Sequence, residues 1–474
     1  DRCRDRVVRL TWISGSIGDF YLSKDGRKVY YIASYDGSSN LWVRDIDDGS
    51  LRVLNKGLGY CALLPSADGK NLYTSGGRIR KVNLDNGSAK DINFRAEFDY
   101  KPIKEREYIF DHVVNLINNK FYREDLGGVD WDFYAKSYKR FLPEINNDYD
   151  MAEMLSEMLG ELNASHTGAR VGTTAPRQQT ANLGAFFDDE YDGDGLKIKE
   201  IIKGGPLDFT GSKIKAGHII KKIDGQPIEK GKDYFPLLAG KSGKRTLLVL
   251  TDDKGKNEYE QEVIPTSSGA VGNLLYKRWV ERRREMTEKY SGGRVGYVHV
   301  KAMNSESFRD VFSEVLGKNR NKEALVVDIR HNGGGWLHDD LGILLSGKLY
   351  QTFEPRGQYI GSDPFMQWYK PSAVLMCEND YSNGHGFPFM YKALGIGKLV
   401  GAPMAGTMTA VWWETQVNGR IVVGLPEVAV KDMSGKYLEN QDLYPDVIVY
   451  QTPEERLKDN DVQLKKTIDT LLGK

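Results

Sequence analysis

The sequence predicts a multidomain α+β protein. A partial β-propeller is expected over residues 1–94, a helical segment over 95–175, a β-rich module over 176–266 and an α/β domain over 267–474. Three observations predict this. Asx-Gly turns recur at blade spacing near the N-terminus, apolar residues then switch to helical spacing, and the C-terminal part alternates buried strands with amphipathic helices. A chain of 474 residues is long enough for several cores.

Charge and cysteine usage narrow the function classes. Lys plus Arg and Asp plus Glu both number 66, so bulk charge points to neither a nucleic acid nor a membrane surface as partner. No apolar run reaches membrane-spanning length. Cys3, Cys61 and Cys377 lie too far apart for a disulfide framework or a metal site, so no metal and no cofactor is expected. The chain opens on Asp1, so a targeting segment is expected to have been removed or never included.

In the first stretch, Ser23-Lys24-Asp25-Gly26 precedes Lys28-Val29-Tyr30-Tyr31-Ile32. About 43 positions on, Ser66-Ala67-Asp68-Gly69 precedes Lys70-Asn71-Leu72-Tyr73. Each is followed by a second strand and a further turn, at Asp48-Gly49 and Asn86-Gly87, which are good hairpin signals. Two blades cannot close a propeller, which needs about four or more. Upstream blades are therefore expected to be absent, leaving an edge exposed or paired in another way.

Residues 95–175 turn helical. Tyr108, Val113, Leu116 and Ile117 share one face, a second helix runs near Trp131 to Phe141, and a third covers Ala152 to Leu162. The third stops at Asn163-Ala164-Ser165-His166-Thr167-Gly168. Taken alone, His166 reads either as a residue capping a helix end or as a general base.

Residues 181–265 hold Leu183-Gly184-Ala185-Phe186, a strand from Leu196 to Ile202, then Gly204-Gly205-Pro206-Leu207 and Ile223-Asp224-Gly225-Gln226-Pro227. This pattern resembles a PDZ domain. The resemblance implies that Leu183, Gly184, Ala185 and Phe186 receive a peptide, which adds a strand to the sheet edge. The alternative is a closed groove in a module that only spaces its neighbours.

In the α/β part, Gly296 to Val300 and Ala324 to Arg330 read as strands, with an amphipathic helix from Ser307 to Leu316 between them. The run His331-Asn332-Gly333-Gly334-Gly335-Trp336 lets backbone amides turn towards a ligand. It lacks the phosphate-loop pattern. Strand 373–378 is followed by Asn379-Asp380-Tyr381-Ser382-Asn383-Gly384 and a helix from Phe387 to Leu394. A hydroxyl at that break stands clear of the sheet, as a nucleophile does, unless Ser382 only caps the helix. A closing helix starts near Glu454. His385 is a competing base by proximity, and His338-Asp339-Asp340 reads as a solvated helix start.

Acyl transfer needs a nucleophile, a base, a group that orients the base and an oxyanion site, and the chain holds one piece of each. The motifs occur in order: Ser165-His166; Asp328-Ile329-Arg330-His331-Asn332-Gly333-Gly334-Gly335; the Ser382 loop; Leu399-Val400-Gly401 with Ala405-Gly406-Thr407; and Glu439-Asn440 with Tyr444-Pro445-Asp446. Together they resemble the tricorn-type and C-terminal processing serine peptidases, and the domain order resembles the C-terminal half of the tricorn type.

The resemblance implies a crotonase-like α/β catalytic domain and a Ser382, His166, Ser165, Glu439 tetrad. It implies an oxyanion hole from the Gly335 and Asn383 amides, with Gly334 as the alternative register. It implies a peptide or unfolded protein as substrate and admits a homo-oligomer. Processing peptidases usually work outside the cytoplasm and the tricorn type inside it; the expectation leans to the former. A Ser–Lys dyad, with Lys392 or Lys398, is the branch that the Ser165-His166 pair disfavours. Asn383 replaces the aspartate of the tricorn type, and Phe353 and Glu354 stand nearest to the acidic residue that reads a basic side chain there. The reading from a different class is a peptide-binding scaffold with an inactive peptidase-like site.

Overall fold

The computed structural model describes residues 7–11, 15–35, 38–172 and 179–474. Cys3 and the expected boundary between 175 and 176 lie outside the described residues. The chain divides into two compact units, Asp1–Tyr100 and Lys101–Lys474.

The first unit is two antiparallel four-stranded sheets. One is β1 (Ser16–Leu22), β2 (Lys28–Ser34), β3 (Ser39–Asp45) and β4 (Leu51–Asn55); the other is β5 (Ala62–Pro65), β6 (Asn71–Gly76), β7 (Arg78–Asn83) and β8 (Ala89–Asp91). The two Ser-x-Asp-Gly turns have the same hydrogen bonds. Ser23 Oγ and Ser66 Oγ each donate to the aspartate two residues on at 2.6 Å, and Gly26 N and Gly69 N each donate back to the serine carbonyl at 2.9 Å. Tyr30, Ile32, Leu41, Leu63, Leu72 and Val82 fill the shared core. The outer strands β1 and β5 have no hairpin signal of their own in the sequence. Among the described residues the strands do not close into a barrel.

The second unit opens with α1 (Pro102–Lys120), α2 (Trp131–Lys139) and α3 (Asp148–Gly160), followed by the short β9 (Gly168–Val171). A β-rich module follows: β10 (Ala185–Phe187), β11 (Leu196–Ile201), β12 (Ile219–Ile223), β13 (Gln226–Pro227), β14 (Thr246–Thr251) and β15 (Tyr259–Val263). Its sheet order is β10-β11-β12-β14-β15, with β13 on β12, so β10 is an edge strand. A long helix, α4 (Ser268–Ser291), leads out of it.

The last part is a parallel sheet covered on both faces, which suits its largely apolar strands. The elements are β16 (Val295–His299), α5 (Ser305–Leu316), β17 (Ala324–Asp328), α6 (His338–Leu345), β18 (Gln351–Phe353), β19 (Gly361–Asp363), β20 (Ser372–Met376), α7 (Asn383–Ala393) and β21 (Lys398–Gly401). Then come β22 (Thr409–Thr415), β23 (Ile421–Ala429), β24 (Val447–Ile448), α8 (Pro453–Leu457) and α9 (Val462–Leu471). The sheet runs β16-β17-β20-β21-β24, parallel throughout. One face packs on α5, α6 and α7 through Val311, Leu341 and Phe387. The other packs on α9 through Leu464 and Ile468, with Val280 and Met286 of α4 against the same cluster.

A pairing between distant segments brings the helical segment to this domain. β9 adds antiparallel to β23, with Val171 opposite Ile421 and Gly168 opposite Gly424. Ile421, Val423 and Leu425 of β23 then share a core with Phe110, Val113, Leu155 and Met158 of α1 and α3. The chain on either side of the β-rich module is thereby sewn together.

Candidate active site

Strand β20 delivers Ser382. Residues Ser372 to Met376 are all buried, and the chain then turns at Asp380. That side chain accepts from Cys377 N at 2.9 Å and Asn332 N at 3.1 Å. Burial pushes the Asp380 carboxyl well above the usual range, against those two amides. Ser382 takes φ +56° and ψ −123° at the start of α7, and its side chain makes no capping bond. A side-chain-bearing residue holds such a conformation at a cost of about 1–3 kcal/mol. Thr407 Oγ1 accepts from Ser382 N at 2.8 Å.

The glycine run lies against this loop. Asn332 is fully buried; its Nδ2 donates to Val300 O at 2.7 Å and its Oδ1 accepts from Gly334 N at 2.8 Å. Tyr381 N donates to Asn332 O at 2.9 Å. A Cβ on Gly334, at φ +94°, would lie 2.5 Å from Ser382 Cβ, so only glycine permits this approach. Among the described residues the amides of Gly335 and Asn383 donate no hydrogen bond. The Gly334 amide is already committed to Asn332.

His166 follows α3 at φ +65° and enters β9. Its Nδ1 lies 2.9 Å from Ser165 Oγ and 3.0 Å from Thr409 Oγ1. Ser165 Oγ donates to Glu439 Oε2 at 2.9 Å, and Ser165 N donates to Glu439 Oε1. Thr409 Oγ1 donates to Ser165 O at 3.1 Å. The other side of His166 meets the loop that holds Ser382. His166 N donates to Tyr381 Oη at 2.9 Å, across 215 positions of sequence, and the two rings pack with centroids 4.8 Å apart. Burial holds the His166 pKa below its ordinary value of 6.5. Burial pushes the Glu439 carboxyl up, while the two bonds from Ser165 pull it down.

Thus Ser165, His166, Glu439, Ser382, Asn383 and Gly335 sit on segments that touch one another. No hydrogen bond joins Ser382 Oγ to His166 among the described residues. Asn383 is buried; its Oδ1 accepts from Leu337 N at 2.9 Å and His338 N at 3.1 Å, and its Nδ2 meets His338 Nδ1 at 2.9 Å. The side chain of Asn383 thus holds the start of α6 and leaves its amide free. His385 is buried and stacks on Phe389. Lys392 Nζ donates to Tyr444 O at 3.0 Å, and Lys398 is exposed. Phe353 and Glu354 are exposed, beside the β18–β19 hairpin.

In the β-rich module, Leu183 is core, Gly184 N donates to Asn182 Oδ1 at 2.8 Å, and Ala185 and Phe186 lie on edge strand β10. Thr409, Thr407, Tyr381 and Asn332 are the contacts that the sequence reading gave no role. Thr407 and Thr409 follow Ala405-Gly406 directly, and their alternation was the available signal.

Comparison with known proteins agrees with this architecture. Residues 294–449 match the peptidase family S41 domain, 102–160 the tricorn protease C1 domain and 182–266 the tricorn protease PDZ domain. Tricorn protease homolog 1 of Streptomyces coelicolor is 28% identical, over 86% of this chain and 40% of that protein. The tricorn protease of Thermoplasma acidophilum is 24% identical, over 80% of this chain and 36% of its own length. A crystal structure of the tricorn protease superposes with a TM-score of 0.80 at 21% identity, covering 94% of this chain and 46% of that one. The chain therefore spans less than half the length of these relatives. In domain order it resembles the tricorn proteases, and residues 294–449 are similar to peptidase family S41, a family of serine-type peptidases.

Proposed function

We propose that this chain hydrolyses peptide bonds of peptides or unfolded proteins, with Ser382 as nucleophile and a Ser382, His166, Ser165, Glu439 tetrad. The observation that carries the reading is the hydrogen-bonded row from Glu439 through Ser165 to His166, set against the tyrosine that precedes Ser382. An ionised Glu439 only accepts, so Ser165 Oγ must donate to it and accept from His166 Nδ1–H. That leaves Nε2 unprotonated and able to take the Ser382 proton, then return it to the leaving amine. The uncommitted amides of Gly335 and Asn383 would stabilise the oxyanion, and the engaged Gly334 amide favours the Gly335 register.

In this reading residues 95–175 belong to the peptidase unit, 176–266 are the PDZ module, and 267–474 are a crotonase-like catalytic domain. A substrate tail would pair along edge strand β10, at Leu183 to Phe186, with Leu183 contributing only backbone. The two sheets of residues 1–94 would be blades of a propeller continued in upstream chain, and copies of the chain would assemble. A fluorophosphonate probe tests the chemistry. Labelling is expected on Ser382, lost in Ser382→Ala and reduced in His166→Ala. No labelling of the folded chain would support the scaffold reading instead.

A further inference from the structure

A second polar cavity lies near the end of β17. It has a volume of about 290 Å³ and is bounded by Trp279, Arg282, Arg283, Arg330, His331 and Arg456, with Asp459 and Asp461 also on its wall. Its four guanidinium groups are not equivalent. Arg330 is buried; it binds Asp328 at 2.7 Å and both oxygens of Asp461 at 2.9 Å. Arg283 lies 3.3 Å from Asp461 and 3.6 Å from Asp459, and stacks 4.8 Å over Trp279. The aspartates are thereby spent on the two inner arginines. Arg282 and Arg456 are exposed, and among the described residues neither makes an ion pair or a side-chain hydrogen bond. His331 is held by its backbone N on Cys377 Sγ at 3.3 Å and by Nδ1 on Asn379 Oδ1 at 3.0 Å, so its other ring nitrogen is uncommitted.

We propose that this cavity binds a small oxyanion, a phosphate or a carboxylate, between Arg282, Arg456 and the free edge of His331. Two unneutralised guanidinium forks beside a rigid, already paired base are what a compact anion with several acceptor oxygens needs. The inner pairs hold Arg283 and Arg330 on the wall with their charge offset by Asp461. Among the described residues the pocket meets the segment before Ser382 through the contacts of His331 to Cys377 and Asn379, so its binding function does not depend on the peptidase reading.

The test is isothermal titration of the full chain at constant ionic strength with inorganic phosphate. A short acetylated peptide acid and the same peptide as its amide form the other arms. Saturable binding of phosphate, or of the acid but not the amide, is expected. The first result points to phosphate as the source and the second to a peptide carboxylate. Arg282→Ala and Arg456→Ala should each weaken binding about tenfold, and the pair should abolish it. Both side chains are unpaired, so the thermal midpoint without ligand should stay put; Arg456→Gln serves if Arg456→Ala fails to fold. No saturable binding of either anion, equal saturable binding of acid and amide without binding of phosphate, or an unchanged Kd in the double variant would overturn the proposal.

Discussion

At the scale of single residues, the placement of Thr409 changes how the proposed relay should respond to mutation. His166 Nδ1 has two acceptors, Ser165 Oγ at 2.9 Å and Thr409 Oγ1 at 3.0 Å. Removing one leaves the other to hold the tautomer. Ser165→Ala also strips Glu439 of its hydroxyl donor, so kcat should fall about tenfold to a hundredfold, and Thr409→Val by less. The double variant should lose more than the product of the two, with KM little changed; multiplicative losses would show that the two hydroxyls act independently. The pH profile belongs to the same scale. Burial holds His166 below 6.5, so the basic form persists into mild acid. The acid limb of kcat/KM should therefore have its midpoint below 6.5, and a midpoint at or above it would remove His166 as the base.

At the scale of elements, the site depends on β9. Gly172 N donates to Arg420 O at 2.6 Å, so by antiparallel alternation the next hydrogen-bonded pair is Arg170 with Val422. Arg170→Pro removes that donor, leaves its carbonyl partner unsatisfied and should cost about 1–3 kcal/mol locally. Probe labelling of Ser382 should slow by at least an order of magnitude while the parallel sheet keeps its far-ultraviolet signal. Labelling at the native rate would mean that β9 does not position the base. The network under β17 makes a second element-level case. Arg330→Met leaves Asp328 buried without its cation and Asp461 with Arg283 alone, so urea denaturation should show a loss of about 3–5 kcal/mol. These elements also show what sequence could and could not convey. The Ser382 loop and the glycine run were legible because each is a local break after a strongly apolar strand, whereas Glu439-Asn440 was legible only through its resemblance to a family motif. β9 was not, since Gly168-Ala169-Arg170-Val171 is four residues whose partner lies more than 240 positions on. α4 was missed because its 24 residues bury only Val271, Thr287 and Ser291, which gives no helical stripe to read. Thr409 was missed because a threonine opening a strand looks like an ordinary β-former.

At the scale of the whole molecule, histidines whose rings lose hydration on folding set an acid limit on the fold. Burial lowers the pKa of His166, His299, His331 and His385, the last to about 4. His385 is the sharpest case: it is 1% exposed, and its Nδ1 has no hydrogen-bond partner among the described residues. The unfolded chain binds a proton on each of these near 6.5, while the folded chain resists it. Stability from these groups is therefore fully present above about pH 6.5 and is lost as pH falls through the folded values. Carboxylates held below their usual range, such as Asp328 against Arg330, add a further loss only at lower pH. Urea midpoints measured from pH 7.5 to 5 should consequently fall, and His385→Leu should flatten the slope, because it removes a group whose shift corresponds to about 3 kcal/mol at most. The same slope in His385→Leu and in the parent chain would assign the acid sensitivity to the other three histidines or to the carboxylates. The two cases separate by window, since His385 continues to titrate down to about 4, in a range where Asp328 is still ionised.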